Sequence, residues 1–395
     1  MYNKKLRLQI VLKFVERCNI NCTYCYVFNG ENEDWKRHPP YMKANVVNQV
    51  IKFLQQGCAE LDIDYIRIIF HGGEPLMYKK RPFDELCNGF KDALPSCGVC
   101  FSLQTNAMLV DNEWIELFHK HNIGVGISLD GPKEYHDIDR VDHRGYGTYD
   151  RVVKGLRLLQ EAARNKLINH PGVLTVINPK IDAKKIYRHF VDELNIKSMD
   201  FLLPDITCDT IEREQKSSGW QIADFGTYIC DIFNEWTKDD NPNIDVRVID
   251  IILRFLLGTE CNFANFGVHN NDNFVFGINS DGTLGADAVL TNTNAFNNIG
   301  NVFNTSLREF LYSDGMRRSN PYLDQSTLSP VCSNCHWVKL CNGGTHINRY
   351  SNKNGFANPS IFCDALQMIY ERIAEYALNN GLSIEALRKR LEIKA

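Results

Sequence analysis

From residue 6 to residue 236 the sequence alternates short apolar runs with amphipathic segments, and this alternation constrains the fold more than any other feature. Residues 6–15 are rich in Leu, Ile and Val and predict a strand. Residues 43–56 carry Val46, Val47, Val50, Ile51 and Leu54 at helical spacing. Apolar runs at 65–70, 99–105, 123–129, 173–178 and 198–204 are each followed by a helical segment, at 82–94, 112–121, 148–164, 183–194 and 220–236. Six strand–helix units in series predict an α/β fold with a parallel sheet, its strands buried on both faces. They are too few for an eight-fold barrel and enough for an open partial one.

Past residue 237 the pattern changes. Residues 246–257 read as a helix. Residues 262–304 are rich in Asn and Gly around a short apolar run at 274–278, and Asn279-Ser280-Asp281-Gly282 is a turn signal, so a hairpin-containing module is expected there. Cysteine and glycine dominate 331–354, and helical spacing returns at 361–379 and 384–391. The expected division is 1–236 for the partial barrel, 237–363 for a bridging and cysteine-rich region, and 364–395 for a helical tail.

Composition narrows the function. With 44% hydrophobic and 23% charged residues the chain is an ordinary globular protein, which excludes disorder and fibrous repeats. Lys plus Arg (44) nearly balances Asp plus Glu (48), so no nucleic-acid partner is expected. Lys4, Lys5, Arg7 and Lys13 interrupt the apolar N-terminus, and no long apolar run follows, so neither a signal peptide nor a membrane span is expected. The expected location is the cytoplasm. Thiols stay reduced there, so 14 cysteines point to metal ligation rather than to disulfides.

The first cysteines directly follow the first strand. Cys18, Cys22 and Cys25 are spaced C-x3-C-x2-C, and three thiolates on one loop can hold three irons of a cubane cluster while leaving the fourth open. A zinc site short of one ligand, or three incidental cysteines, would give the same spacing. The second strand ends in His71-Gly72-Gly73-Glu74-Pro75, where two glycines allow close backbone approach to a ligand and Glu74 adds an acceptor for an ammonium group. A plain strand-to-helix turn is the alternative.

Together these two motifs resemble the radical S-adenosylmethionine (SAM) superfamily over about residues 6 to 236. The resemblance implies a partial (β/α)6 TIM-like barrel with its site at the carboxyl ends of the strands. SAM would chelate the open iron of a [4Fe-4S] cluster, with Gly72, Gly73 and Glu74 on its amino group and Tyr24 near its adenine. Ser128 and Asp130, in Ser-Leu-Asp-Gly-Pro, match positions this family uses near SAM, and Asn106 ends the third strand facing the same site. For Asn106 and Ser128 a turn or helix cap is the competing role. The cofactor would generate a deoxyadenosyl radical, which needs a closed site.

The second cysteine group is Cys332, Cys335 and Cys341, then Gly343-Gly344 and later Cys363. Four cysteines can make a zinc ribbon or a fully ligated iron–sulfur cluster. Behind a radical SAM barrel the pattern resembles the SPASM extension of peptide-modifying enzymes, which carries two auxiliary clusters. The sequence departs from that pattern at two cysteine positions, now Asp287 and Thr345, both of which serve the inner cluster in the family. The expectation is therefore one auxiliary [4Fe-4S] cluster on Cys332, Cys335, Cys341 and Cys363. The rival is an inner cluster held by Cys261 and Asp287. With the inner cluster lost, Asp287 becomes a candidate general base or substrate contact, against a plain role capping a hairpin turn.

Of the other cysteines, Cys97-Gly98-Val99-Cys100 has the form of a redox pair, but Cys100 opens a buried strand and a core role is preferred. Cys58, Cys87, Cys208 and Cys230 receive no role.

The stretch His136-Asp137, Arg140 and Gly145-Tyr146-Gly147-Thr148 resembles maturases that act on polypeptides, including the anaerobic sulfatase-maturing enzymes. The loop Trp35-Lys36-Arg37-His38-Pro39 looks more like enzymes that modify ribosomally made peptides, among them those that build three-residue cyclophanes; a solvated basic segment is the alternative. The expected reaction is removal of a β-hydrogen from a precursor-peptide residue and carbon–carbon cross-linking to an aromatic ring, with the auxiliary cluster taking up the spare electron. The implied partners are a precursor peptide with its leader and a one-electron reductant of flavodoxin or ferredoxin type. Few residues precede the first strand, so the leader is expected on the barrel edge, on the extension or on a separate leader-recognition protein. Two other readings stay open: a formylglycine-generating sulfatase maturase, although the family's catalytic Asp position is Ala288 here, and a radical dehydrogenase of a small molecule. A bare electron-transfer module is disfavoured because it needs no SAM pocket.

Overall fold

The first apolar run becomes the strand around which the N-terminal sheet is built. The structure, a computed structural model, describes residues 6–259, 273–320 and 327–393. In chain order the first elements are β1 (Leu6–Val15), α1 (Ala44–Glu60), β2 (Ile63–Gly72), α2 (Lys80–Ala93), β3 (Gly98–Thr105), α3 (Asn112–His121), β4 (Gly124–Ser128), α4 (Lys133–Asp139) and α5 (Tyr149–Arg164). Next come β5 (Gly172–Val176), α6 (Ala183–Arg188), β6 (Ser198–Leu202), α7 (Ile211–Ser218), α8 (Ile222–Asp239), β7 (Asp245–Val246) and α9 (Arg247–Leu257). The extension holds β8 (Asn273–Ile278), β9 (Thr283–Gly285), β10 (Gly300–Asn301), α10 (Leu307–Leu311), α11 (Asp314–Ser319), α12 (Pro330–Ser333), α13 (Val338–Cys341), α14 (Cys363–Asn379) and α15 (Ile384–Leu391). The described residues form two compact units, 6–129 with 133–173 and 273–319, and 130–132 with 174–259, 320 and 327–393.

In the first unit the strand order is β10-β9-β8-β1-β2-β3-β4. β8, β1, β2, β3 and β4 run parallel, and β9 and β10 fold back antiparallel. Residues 10–15 of β1 are all buried, as expected of a parallel strand covered on both faces. Phe14, Phe70 and Phe83 form an aromatic chain that Trp114 extends, with ring centroids 4.8–5.4 Å apart along it, tying β1 and β2 to α2 and α3.

The hairpin expected from the Asn279–Gly282 turn is present between β8 and β9. Gly282 takes φ +86°, and Gly282 N donates to Asn279 O at 2.9 Å. The pairing of β8 with β1 was not legible from that turn. It buries Phe276 and Ile278 completely and completes the second edge of β1. Cys261, the residue invoked for a residual inner cluster, lies outside the described residues.

In the second unit β5, β6 and β7 lie side by side in that order. α8 presents Phe225 and Phe233 to Phe362 and to Tyr376 of α14, at 4.8 and 5.3 Å between ring centroids. Gly226 permits this approach, because a Cβ there would sit 3.1 Å from the Ala365 backbone. No described helix is long and apolar enough to cross a membrane.

Candidate functional site

The chain leaves β1 at Val15 and reaches Cys18 three residues later, held flush against the end of β2. Gly73 N donates to Val15 O at 2.6 Å and Glu74 N to Arg17 O at 2.9 Å. A Cβ on Gly72, which has φ +129°, would lie 2.0 Å from Val15 O, and one on Gly73 would lie 2.0 Å from Arg17 O. From the sequence, these glycines are expected to admit close approach by a ligand. The structure shows that they are already required for close approach by the backbone that leads into the cysteine loop. A Gly73→Ala variant is therefore expected to lose about 1–3 kcal/mol of stability, because the obstacle is the Arg17 main chain, which cannot rotate away. A thermal melt lowered by several degrees checks this.

Glu74 is buried, and burial raises its pKa to about 7. Its carboxylate accepts from Leu76 N (2.9 Å) and Thr105 Oγ1 (2.6 Å) on one oxygen and from Asn106 N (2.8 Å) on the other. Glu74 thus ties the end of β2 to the end of β3, and its Oε2 retains acceptor capacity for one more donor. Asn106 continues this link toward the cysteines: its Nδ2 donates to Asn19 Oδ1 at 2.7 Å and lies 3.9 Å from Cys18 Sγ. Its Oδ1 meanwhile accepts from Met108 N at 3.1 Å, so the turn role and the site role coexist. Ala107, next in line, is buried with φ +59°, a left-handed conformation imposed on a non-glycine at the turn after β3.

Cys18, Cys22 and Cys25 lie on the loop after β1. Burial pushes the Cys18 thiol up to about 12, and burial also raises Cys25. Tyr24 is about one-third exposed, and the Arg140 guanidinium lies 5.6 Å from its ring centroid. Ser128, at the end of β4, accepts from Gln104 Nε2 at 2.8 Å. Asp130, in the second unit, is buried and accepts from Thr175 Oγ1 at 3.3 Å and Val176 N at 3.4 Å.

The structure adds Lys13 and His71 to the polar residues around the end of β1. Lys13 is buried in β1 and pairs in register with His71 of β2. Burial lowers the Lys13 pKa, opposed by the charges of Glu16 and Asp287. Its Nζ donates to Thr291 Oγ1 at 3.3 Å. Burial, with Lys13 beside it, pushes the His71 pKa down to about 4, and its Nδ1 has no hydrogen-bond partner among the described residues. Asp287 acts electrostatically on both and so sits in a polar cluster rather than only at a turn. Lys13, Glu16, Asn32, His38 and Thr291 border a cavity of about 30 Å³, enough for one or two waters. The available signal was a lysine interrupting an otherwise apolar strand. The Trp35–Pro39 loop joins this cluster, since His38 Nδ1 lies 2.7 Å from Glu16 Oε2, while Trp35 packs on Phe28 and Arg17. It is therefore not simply a solvated basic segment.

In the second unit Cys332 and Cys335 flank the end of α12, Cys341 ends α13 and Cys363 opens α14. Cys341 and Cys363 feel the charge of Cys332, and Cys363 also that of Cys335, so the four thiols are neighbours. Burial raises the Cys341 thiol to about 12, with Tyr370 as a hydrogen-bond partner. Gly343 and Gly344, at φ +85° and +77°, turn the chain after Cys341, and Thr345 starts the short helix His346–Arg349. Cys97 Sγ lies 3.0 Å from Cys58 Sγ, and Cys100 faces Tyr65, so Cys97 and Cys100 do not pair.

Residues 12–179 match the family model of the Radical SAM superfamily. This segment is a radical SAM domain. The whole chain is 28% identical to the cysteine-type anaerobic sulfatase-maturating enzyme of Clostridium novyi, over 90% of this chain and 92% of that enzyme. It is 24% identical to the serine-type enzyme of Bacteroides thetaiotaomicron, over 91% and 87%. In fold it resembles native anSMEcpe with bound AdoMet and Kp18Cys peptide, at a TM-score of 0.77 and 21% identity, covering 95% of this chain and 99% of that one.

The cofactors of such a domain are a [4Fe-4S] cluster and SAM. Among the described residues no three His, Cys, Asp or Glu side chains converge as ligands of a single metal ion. A cubane asks for less convergence, since each thiolate binds a different iron. The residues fit that group: three thiols on one loop, two of them raised by burial, are costly to ionise without metal charge beside them. When bound and reduced, the cluster and SAM supply a carbon radical able to remove an unactivated hydrogen atom. Cys18, Cys22 and Cys25 would hold the irons, and the polar edge made by Glu74, Asn106 and Ser128 would orient SAM.

Proposed function

We propose that this chain is a radical SAM maturase that oxidises the β-carbon of a cysteine or serine in a peptide substrate, generating formylglycine. The observation that carries this reading is the likeness to sulfatase-maturating enzymes along nine-tenths of both chains, which includes the extension as well as the radical SAM domain. The reaction removes one hydrogen atom and then a proton and an electron from the side chain; with cysteine, water then displaces the sulfur as hydrogen sulfide. Asp287 takes the proton from the substrate heteroatom, replacing the family carboxylate at the position of Ala288. The auxiliary cluster on Cys332, Cys335, Cys341 and Cys363 takes the electron, and a flavodoxin- or ferredoxin-type protein supplies the one that starts each turnover.

The departures at Ala288, Asp287 and Thr345 favour a second reading, cross-linking of a precursor peptide into a cyclophane, with its leader held by this chain or by a separate protein. Both readings share the β-hydrogen abstraction and differ in the fate of the carbon radical. Anaerobic co-expression with a sulfatase-derived cysteine peptide, followed by mass spectrometry, separates them. Replacement of sulfur by oxygen with loss of two hydrogens supports formylglycine. An unmodified sulfatase peptide beside a doubly dehydrogenated, aromatic-containing peptide encoded nearby supports cross-linking. Deoxyadenosine formation with neither peptide changed points to a small substrate.

A further inference from the structure

The stretch from His136 to Tyr149 has no part in the reaction as described, yet it is built with unusual internal order. Arg140 N donates to His136 O at 3.0 Å, and Thr148 Oγ1 donates to Arg140 O at 2.8 Å while lying 3.0 Å from His136 Nε2. His136 and Thr148 are fully buried. Tyr149 N donates to Asp137 Oδ1 at 2.9 Å, and a Cβ on Gly147 would fall 2.1 Å from the Asp137 carboxyl carbon. Buried side chains thus fix the main chain on both sides of Arg140.

This stretch grips the cysteine loop. Asn21 N donates to Val141 O at 2.8 Å, Thr23 N donates to Asp139 O at 3.0 Å, and His143 Nε2 lies 2.9 Å from Cys18 O. Arg140 itself is buried; its Nη1 lies 3.6 Å from Cys22 Sγ, and its guanidinium covers the Tyr24 ring. Its charge also reaches Cys25 and Glu74. Lys13 is the second cation acting on Cys25, and Glu74 places the opposing charge beside Cys18.

We propose that Arg140 is the fixed cation that sets the reduction potential of the cluster on Cys18, Cys22 and Cys25. This rests on the reading of those cysteines as cluster ligands. One-electron reduction adds a negative charge to a buried group, and a guanidinium held against a ligand sulfur stabilises the reduced state more than the oxidised one. Arg suits the task because it stays charged at every working pH and its N–H fork can donate to sulfur. The motif around it then has a purpose: His136, Thr148 and Asp137 position the cation, and the backbone bonds bring the cysteine loop to it.

The test is a redox titration followed by electron paramagnetic resonance on the anaerobically reconstituted full chain, without SAM, so that SAM affinity is not read. R140Q keeps a donor and loses the charge. Its ratio of reduced to oxidised cluster at a fixed potential is expected to fall about tenfold, a downward shift of ~59 mV. R140K is expected to recover most of that shift, and the signal of the second cluster stays in place as an internal reference. A wild-type midpoint in R140Q with full iron content, or an equal shift in R140K and R140Q, overturns the proposal. Should R140Q fail to assemble the cluster, Arg140→His carries the test. Its midpoint falls as the imidazole deprotonates with rising pH, and a midpoint that does not respond to pH overturns the proposal. A wild-type chain with no signal that changes on adding SAM would instead remove the assignment of Cys18, Cys22 and Cys25.

Discussion

Replacing Cys18, Cys22 and Cys25 together by alanine is expected to abolish dithionite-dependent conversion of SAM to deoxyadenosine and to halve the iron content. The anaerobic wild-type chain should hold about eight irons in two cubanes and the triple variant about four. All three thiols sit on one loop whose ends are pinned, at Val15 and Arg17 by the Gly72-Gly73-Glu74 backbone and at residues 21 and 23 by residues 139 and 141. The second set is held separately, by helices in the other compact unit, so its irons should survive. Iron and sulfide analysis checks the count. Deoxyadenosine formation in the triple variant, or loss of all iron, would contradict the assignment of two independent clusters.

Replacing Lys13 by methionine is expected to be the most destabilising single change in the first unit. The side chain is buried in the central strand, and the carboxylates of Glu16 and Asp287 offset part of the cost of its burial. Glu16 keeps His38 Nδ1 and Ser280 N, so removing the ammonium chiefly takes a buried counter-charge from Asp287, an effect worth about 3–5 kcal/mol. The melting midpoint should fall on the order of 10 °C. Adding Asp287→Asn should restore part of the loss, because the double variant removes a carboxylate whose charge acted on Lys13. Calorimetry on the two variants and the pair tests this, and equal loss in K13M and K13M/D287N would show that Asp287 is not the counter-charge.

The legible parts of the site were those whose signal is local. Cys18, Cys22 and Cys25 announce themselves by spacing, and the Gly72-Gly73-Glu74 turn by its place at a strand end. Lys13 was read only as a break in an apolar N-terminus, although its burial inside β1 makes it central. Arg140 was noted within a motif and given no role, because its contact with Cys22 spans 118 positions of sequence. Glu74 was expected to face a ligand; the structure shows it first binding Leu76, Thr105 and Asn106.

The sequence by itself determined the alternation of strands and helices, the two cysteine sets and the turn that joins β8 to β9. These follow from periodicity, from ligand spacing and from residues such as Gly282 that favour a left-handed backbone, all properties of neighbours along the chain. Only the tertiary structure decided that β8 lies beside β1, that Gly73 is needed against Arg17, that Cys97 faces Cys58 and that Lys13, His71 and Asp287 share one polar cluster. Each of these depends on segments brought together by burial of distant apolar surface. Local pattern shows which face of an element is buried, and the partner that buries it is settled only when the whole sheet assembles.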